Sequence, residues 1–367
     1  MAIPSTYSDS YDAVLTASSR LFLGRLRDNI VKGMKYFALL DSKGKINTQD
    51  GGYQVQVPLM YALNTTADVM QGYGVVDTSP QDGMTSALYD WTQAAVSVTI
   101  SKKEKIQNSG DKRFDLLKAK IMQAEKSMRY LMSRCIVQGR ITASSTDGQF
   151  YAIVGKKDSG ASGPLPLGAL IDGTVARSVA IGNINGATYT WWENKMKQSA
   201  ATTFAGYKQE LYKLYNDCSR GDGGEEPDIA LASQGSFELY HNSLQSMERY
   251  VDMSTVNLLN GAENLKIKGA VMIWDELVPD VKTNAVVDSD GLGTALGTFT
   301  KGTVFFINSK FVEVIVAKDA NYSMSPFVTP ENQVGVSTAI IDWMGVHVVS
   351  NRRKNGVLKN IDESIAA

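Results

Sequence analysis

A chain of 367 residues, 43% hydrophobic and 20% charged, is long enough for two or three domains with sizeable cores. Its 37 basic and 38 acidic side chains leave a net charge of −1, which argues against a dedicated nucleic-acid binder. Two cysteines, Cys135 and Cys218, exclude a disulfide framework and fit a reducing compartment. Residues 1–20 lack the apolar core of a signal peptide, and no apolar run approaches the roughly 18 residues of a membrane span.

In chain order, residues 1–10 read as an extended polar arm. Tyr11, Val14, Leu15, Leu21, Phe22, Leu26 and Ile30 then predict an amphipathic helix whose other face, with Arg20, Arg25, Arg27 and Lys32, is solvated. Tyr53, Val55 and Val57 alternate with glutamines, a strand limited by Pro58. A turn-rich stretch follows from Gly72 to Gly83, and a second alternating run from Ala94 to Ile100. Together they predict a two-stranded excursion with a loose tip. A hairpin alone is marginal in water, so this one needs a surface to lie on.

The stretch from Ser109 to Gly139 carries one apolar stripe: Phe114, Leu117, Ile121, Ala124, Met128, Leu131 and Cys135. Leu116, Met122 and Met132 widen it, and Gly139 ends it. The predicted helix is about 45 Å long, far beyond the average globular helix. Residues 46–100 carry five aspartates and no lysine or arginine, a net −5. Residues 101–140 invert this, with eleven basic against four acidic side chains, a net +7. A charge run is ordinarily a solvated face, but adjacent segments of opposite sign can meet, within or between chains.

Residues 141–185 read as loops and short strands. Thr188 to Asn194 opens a helical region, and Phe204, Tyr207, Leu211, Leu214 and Cys218 give a second amphipathic helix. A buried strand is predicted within residues 227–232, a helix over Ser236–Tyr250, and a strand over Ala270–Trp274. The glycine-rich stretch 284–302 reads as a surface loop. Residues 304–308 and 311–316 predict a hairpin around Ser309-Lys310, and 340–343 and 346–349 predict two further strands. The alternation of strands and helices is an α+β layer structure.

Catalytic signatures are missing from the sequence. His241 and His347 have no clustered partners, and there is no nucleophile elbow, phosphate-binding loop or metal-binding motif. No catalytic, cofactor or metal residue is assigned, and no cofactor is expected.

Several motifs carry a family resemblance through their joint order. They are Gly51-Gly52, residues 57–61 with Asn64, Gly72-Tyr73, residues 78–81, Tyr89-Asp90-Trp91 with Gln93, residues 108–110, and Asp115-Leu116-Leu117. The Trp191-Trp192 pair and the closing residues 350–352 and 356–358 add to them. Together they resemble the major capsid proteins of tailed double-stranded-DNA bacteriophages, of the HK97-type fold. The resemblance implies an α+β, HK97-like capsid fold: an N-terminal arm (1–45), an extended β-hairpin or E-loop (46–101), and a peripheral domain with the long spine helix (102–165). An axial domain (166–324) and a return to the peripheral domain (325–367) complete it.

The implied function is structural, not enzymatic: a subunit that self-assembles as hexamers and pentamers into an icosahedral shell around phage DNA. DNA would be met by proximity, not sequence. Further implied partners are a portal protein and, since only 45 residues precede the hairpin, a separate scaffolding protein; whether a decoration protein binds is left open. The shell would be assembled in the host bacterial cytoplasm, with no membrane contact. The alternatives are an encapsulin-like nanocompartment, which shares the fold, and an unrecognised α+β enzyme. Subunit contacts are expected from the arm and the hairpin, each lying on a neighbour. There Asp68, Asp77 and Asp82 would face Lys112, Arg113, Lys118 or Lys120 of the next subunit, with Tyr73 as an apolar contact.

Overall fold

The structure is a computed structural model that describes residues 35–107, 116–141, 150–152, 161–171, 180–221, 225–244, 265–278, 302–330 and 335–365. The expected arm and its helix (1–34), the start of the long helix (109–115) and the glycine-rich stretch 284–301 lie outside the described residues.

The elements in order are α1 (Lys35–Ser42), β1 (Ile46–Gln49), β2 (Gln54–Met60), β3 (Met84–Asp90), β4 (Thr92–Ser101), α2 (Lys102–Gln107) and α3 (Leu116–Val137). Then come β5 (Arg140–Ile141), β6 (Phe150–Tyr151), α4 (Leu167–Leu170), β7 (Ala180–Ile181), β8 (Ile184–Asn185) and β9 (Lys195–Gln198). They are followed by α5 (Phe204–Cys218), β10 (Ile229–Ala232), α6 (Gln234–Leu244), β11 (Leu265–Ile267) and β12 (Ala270–Trp274). Last are β13 (Gly302–Ile307), β14 (Val312–Met324), β15 (Val336–Val349) and β16 (Gly356–Ile361).

The chain divides into two compact units. The smaller draws on Ala94–Tyr130 and Asp319–Trp343. Its apolar cluster joins Val98 of β4, Ala124 of α3 and Ile341 of β15, with Val96, Ile121 and Tyr322 packed around them. Lys120 of α3 bonds Glu104 of α2 at 2.9 Å, and Glu104 also accepts the Ser101 amide at 2.9 Å, a capping box at the start of α2.

The larger unit contains Gly33–Gln93, Leu131–Lys318 and Met344–Ala367. Its six-stranded sheet has the order β11-β12-β10-β13-β16-β9. β10 is buried at every position, as its all-apolar run requires, and lies between parallel β12 and antiparallel β13. α5 and α6 cover the sheet through Tyr207, Leu211, Leu214 and Phe237, against Met272, Phe306 and Leu358. Thr203 caps α5 by accepting the Gly206 amide at 3.2 Å. Arg352 is buried, and its guanidinium donates to the Leu170 carbonyl and to Asn194, tying three distant segments together.

Five expectations need correction. The return strand of the hairpin is β3, paired with β2 from Gln54↔Asp90 to Met60↔Met84. The run at 94–100 belongs to β4, which neighbours β15 in a sheet of order β1-β14-β15-β4. β13 and β14 do not form a hairpin but enter different sheets. Between them, Ser309 donates from its amide to Asp228 and Asn308 to Asn355, each at 2.8 Å, in place of hairpin rungs. Residues 340–343 and 346–349 are one continuous strand, because Thr92 donates its hydroxyl to the Gly345 carbonyl and keeps the chain extended there. Thr190–Trp192 is a single 3₁₀ turn leading into a strand, fixed by Trp192, whose indole N–H bonds the Ile181 carbonyl at 3.0 Å. Met122 is exposed, so the buried stripe of α3 is narrower than expected. That stripe does hold Ala124, Met128, Met132 and Cys135, and Gly139 closes the helix at φ 59° with its amide on Arg134.

Candidate subunit-contact surface

The base of the β2–β3 hairpin is well seated. Val55, Leu59, Ala87 and Tyr89 bury one face, as the period-2 pattern of a strand demands. The Tyr89 hydroxyl donates to the Val349 carbonyl at 2.8 Å, and the Leu88 amide donates to the Gly182 carbonyl at 3.1 Å. Gly182 has φ 64°, and a Cβ there would come within 2.6 Å of Ala87, so the close approach requires glycine.

The tip is the opposite. Leu63, Val69, Tyr73 and Val75 are each 89–104% exposed. Of the 18 large apolar side chains exposed among the described residues, 10 lie between Tyr53 and Met84. Such a concentration is unusual for a surface that faces only water.

Asp68, Asp77 and Asp82 all lie on this tip and are exposed. Asp68 accepts the Val69 amide and Asp77 the Ser79 amide, so both stabilise turns. The Ser79 amide and hydroxyl hold the Asp77 carboxyl below its ordinary range. None of the three has an ion-pair partner among the described residues. Asp50 does, with Lys318 at 3.3 Å, and Asp90 accepts from Gln54. On the basic side, Lys118 is exposed on α3, and Lys112 and Arg113 lie outside the described residues. Lys120 is engaged with Glu104 and the Thr99 carbonyl.

Sequence reasoning missed an aromatic contact: Tyr61, just after β2, stacks on Trp191 at 5.2 Å with 24° between the rings. Only the Trp191-Trp192 pair was visible beforehand as a feature. His347 has structural partners. His347 is fully buried, with Nδ1 on the Leu165 carbonyl at 3.1 Å and Nε2 facing the Tyr36 hydroxyl. Among the described residues there is no cluster of metal-ligating side chains, and no helix is long and apolar enough to cross a membrane. Cys135 and Cys218 are buried, which pushes both thiols up to about 12 and leaves them inert.

No family model matches the sequence, and no curated protein sequence matches it. Solved structures do match in fold. The capsid asymmetric unit of cyanophage A-1(L) is 13% identical, with a TM-score of 0.63, covering 94% of this chain and 97% of that one. An encapsulin, SrpI of Synechococcus elongatus PCC 7942, is 11% identical with a TM-score of 0.54, covering 99% and 98%. The capsid of Myoviridae phage XM1 is 9% identical with a TM-score of 0.52, covering 93% and 97%. The chain therefore has the HK97-like fold shared by phage capsids and encapsulins.

Proposed function

We propose that this protein is the major capsid subunit of a tailed phage, assembling with copies of itself into an icosahedral shell around double-stranded DNA. The observation that carries this reading is the hairpin: a rigid, buried base presenting an apolar tip that the described residues leave uncovered. A tip of this kind is stable in water only when another surface covers it, and repeated copies of the same chain supply that surface. Hexamers and pentamers, a portal and a separate scaffolding protein follow from the reading, with assembly in the host cytoplasm. The role is structural, not catalytic.

The test is to express the chain and inspect it by size-exclusion chromatography and electron microscopy. Shells of megadalton size support the reading. Deleting residues 64–80, which spares β2 and β3, should leave a folded subunit that forms no stable shell. A small discrete oligomer from the intact chain, or normal shells from the deletion, would overturn it. A second reading, an encapsulin-like compartment, has the likeness to SrpI behind it. Purified shells holding a cargo protein and no DNA would favour that one.

Charge supplies register in the same proposal. Asp68, Asp77 and Asp82 face Lys112, Arg113, Lys118 or Lys120 of a neighbour. Each exposed pair contributes only about 0–1 kcal/mol, so the gain lies in repetition and steering. Replacing Asp77 and Asp82 by lysine should slow assembly in low salt, and K112E with R113E in the same chain should partly restore it. Assembly of the double-lysine variant at the normal rate would remove the electrostatic part of the proposal.

A further inference from the structure

We infer that Tyr61 and Trp191 form a releasable clasp, which fixes the root of the hairpin tip to its own body in the free subunit and opens when a neighbouring copy takes the tip. The inference rests on the shell reading for its second half only.

The hairpin is fastened in two very different ways. Its base is locked by the buried Tyr89 hydroxyl on Val349, by the Leu88 amide on Gly182, and by the close seat of Ala87 on that glycine. Beyond β2 those fastenings stop. The hydrogen bonds described for residues 62–82 all run within the hairpin tip: Thr65 to Gln81, Thr66 to Asn64, the Val69 amide to Asp68, Gly74 to Gln71, the Ser79 amide to Asp77, and Gln81 to Ser79. The ring contact described between this end of the hairpin and the body is Tyr61 on Trp191.

Both partners are held ready. Tyr61 makes the last rung of the hairpin, its amide on the Gly83 carbonyl at 2.9 Å, and its hydroxyl donates to the Asp82 carbonyl at 3.1 Å. The ring therefore moves with both arms of the tip. Trp191 sits in the 3₁₀ turn next to buried Trp192, whose indole N–H is fixed to the Ile181 carbonyl. Tyr189 flanks it at 6.1 Å. One side of the contact is thus rigid and the other travels with the loop.

An aromatic pair of this kind shifts an equilibrium by only about twofold to tenfold. That is enough to bias the direction of the tip in the free chain. It is too little to resist a neighbour that buries several side chains such as Leu63, Val69, Tyr73 and Val75, all almost fully exposed here. A clasp of this strength fixes the direction in which the exposed tip is presented and costs little when it opens.

The test places spin labels at Val75→Cys and Gln209→Cys, both exposed positions, in the full chain, whose native cysteines are buried. Distances measured in the free subunit should be narrow for the parent and for Y61F, and broad for Y61A and W191A. An unchanged distribution in Y61A overturns the clasp. The threshold concentration for shell formation should fall about twofold to tenfold in Y61A and stay level in Y61F. A rise, or no change, in Y61A overturns the release on assembly. If the parent chain forms no shell at all, the shell reading fails while the distance measurement still decides the clasp.

Discussion

His347 gives the protein an acid-labile core, and the effect can be worked from the structure. The imidazole is fully buried in β15. Nδ1 faces the Leu165 carbonyl at 3.1 Å and must carry the proton, so Nε2 is left to accept from the Tyr36 hydroxyl at 3.5 Å. Burial lowers the imidazole to about 4, against a partial upward pull from the Leu165 carbonyl. In the unfolded chain it titrates near 6.5. Between those values the unfolded chain holds a proton that the folded chain does not. Stability therefore falls as pH drops through that window. The full window is worth about 3 kcal/mol at about 1.4 kcal/mol per pH unit. Asp275, which accepts the Tyr36 amide, has its carboxyl raised by burial and contributes in the opposite direction, so the comparison must be with a variant. Urea unfolding of the free subunit at pH 7 and pH 4.5 should show a loss about 2 kcal/mol larger for the parent than for His347→Asn. With only two histidines in the chain, NMR can follow His347 directly beside His241. A His347 resonance that titrates near 6.5, or equal pH slopes for parent and variant, would refute the reasoning.

Three further outcomes follow from particular contacts. Partial burial acts to raise the Glu104 carboxyl, but the Ser101 amide and Lys120 hold it below its ordinary range. Its contribution is therefore present above about pH 4.3 and lost as pH falls further, and E104Q should flatten unfolding curves taken between pH 5 and 3. A Cβ at Gly235 would lie 2.2 Å from the Glu363 carboxylate, which also accepts from Ser233 at 3.2 Å. G235A should cost about 1–3 kcal/mol alone and much less in an E363A background, a cycle whose additivity would show that the two do not meet. Residues 46–100 contain no lysine, so no isopeptide can start from the hairpin. Particles boiled in denaturant should return a single band near 39.9 kDa, whereas a ladder of covalent oligomers would contradict this.

How much was legible depended on how local the cause was. α5 was readable because its buried residues repeat at helical spacing within one segment. β10 was readable because every residue is apolar and every residue is buried. β3 was not, because Thr85, Ser86 and Ala87 give a faint alternation, and its burial comes from Gly182 and Val349, far away in sequence. The same holds for the false hairpin at residues 304–316. Its chemistry looks like a turn, but the side chains of Asp228 and Asn355 redirect it, and no local pattern announces them. The contact surface shows this limit most sharply. Counting charges gave −5 against +7 and made every lysine in the second stretch equally available. Folding removes that equality, because Lys120 is held by Glu104, sixteen residues earlier, whereas the tip aspartates stay outward as their turn chemistry required. A charge count measures what a segment carries, and only the fold decides how much of it is left to offer a neighbour.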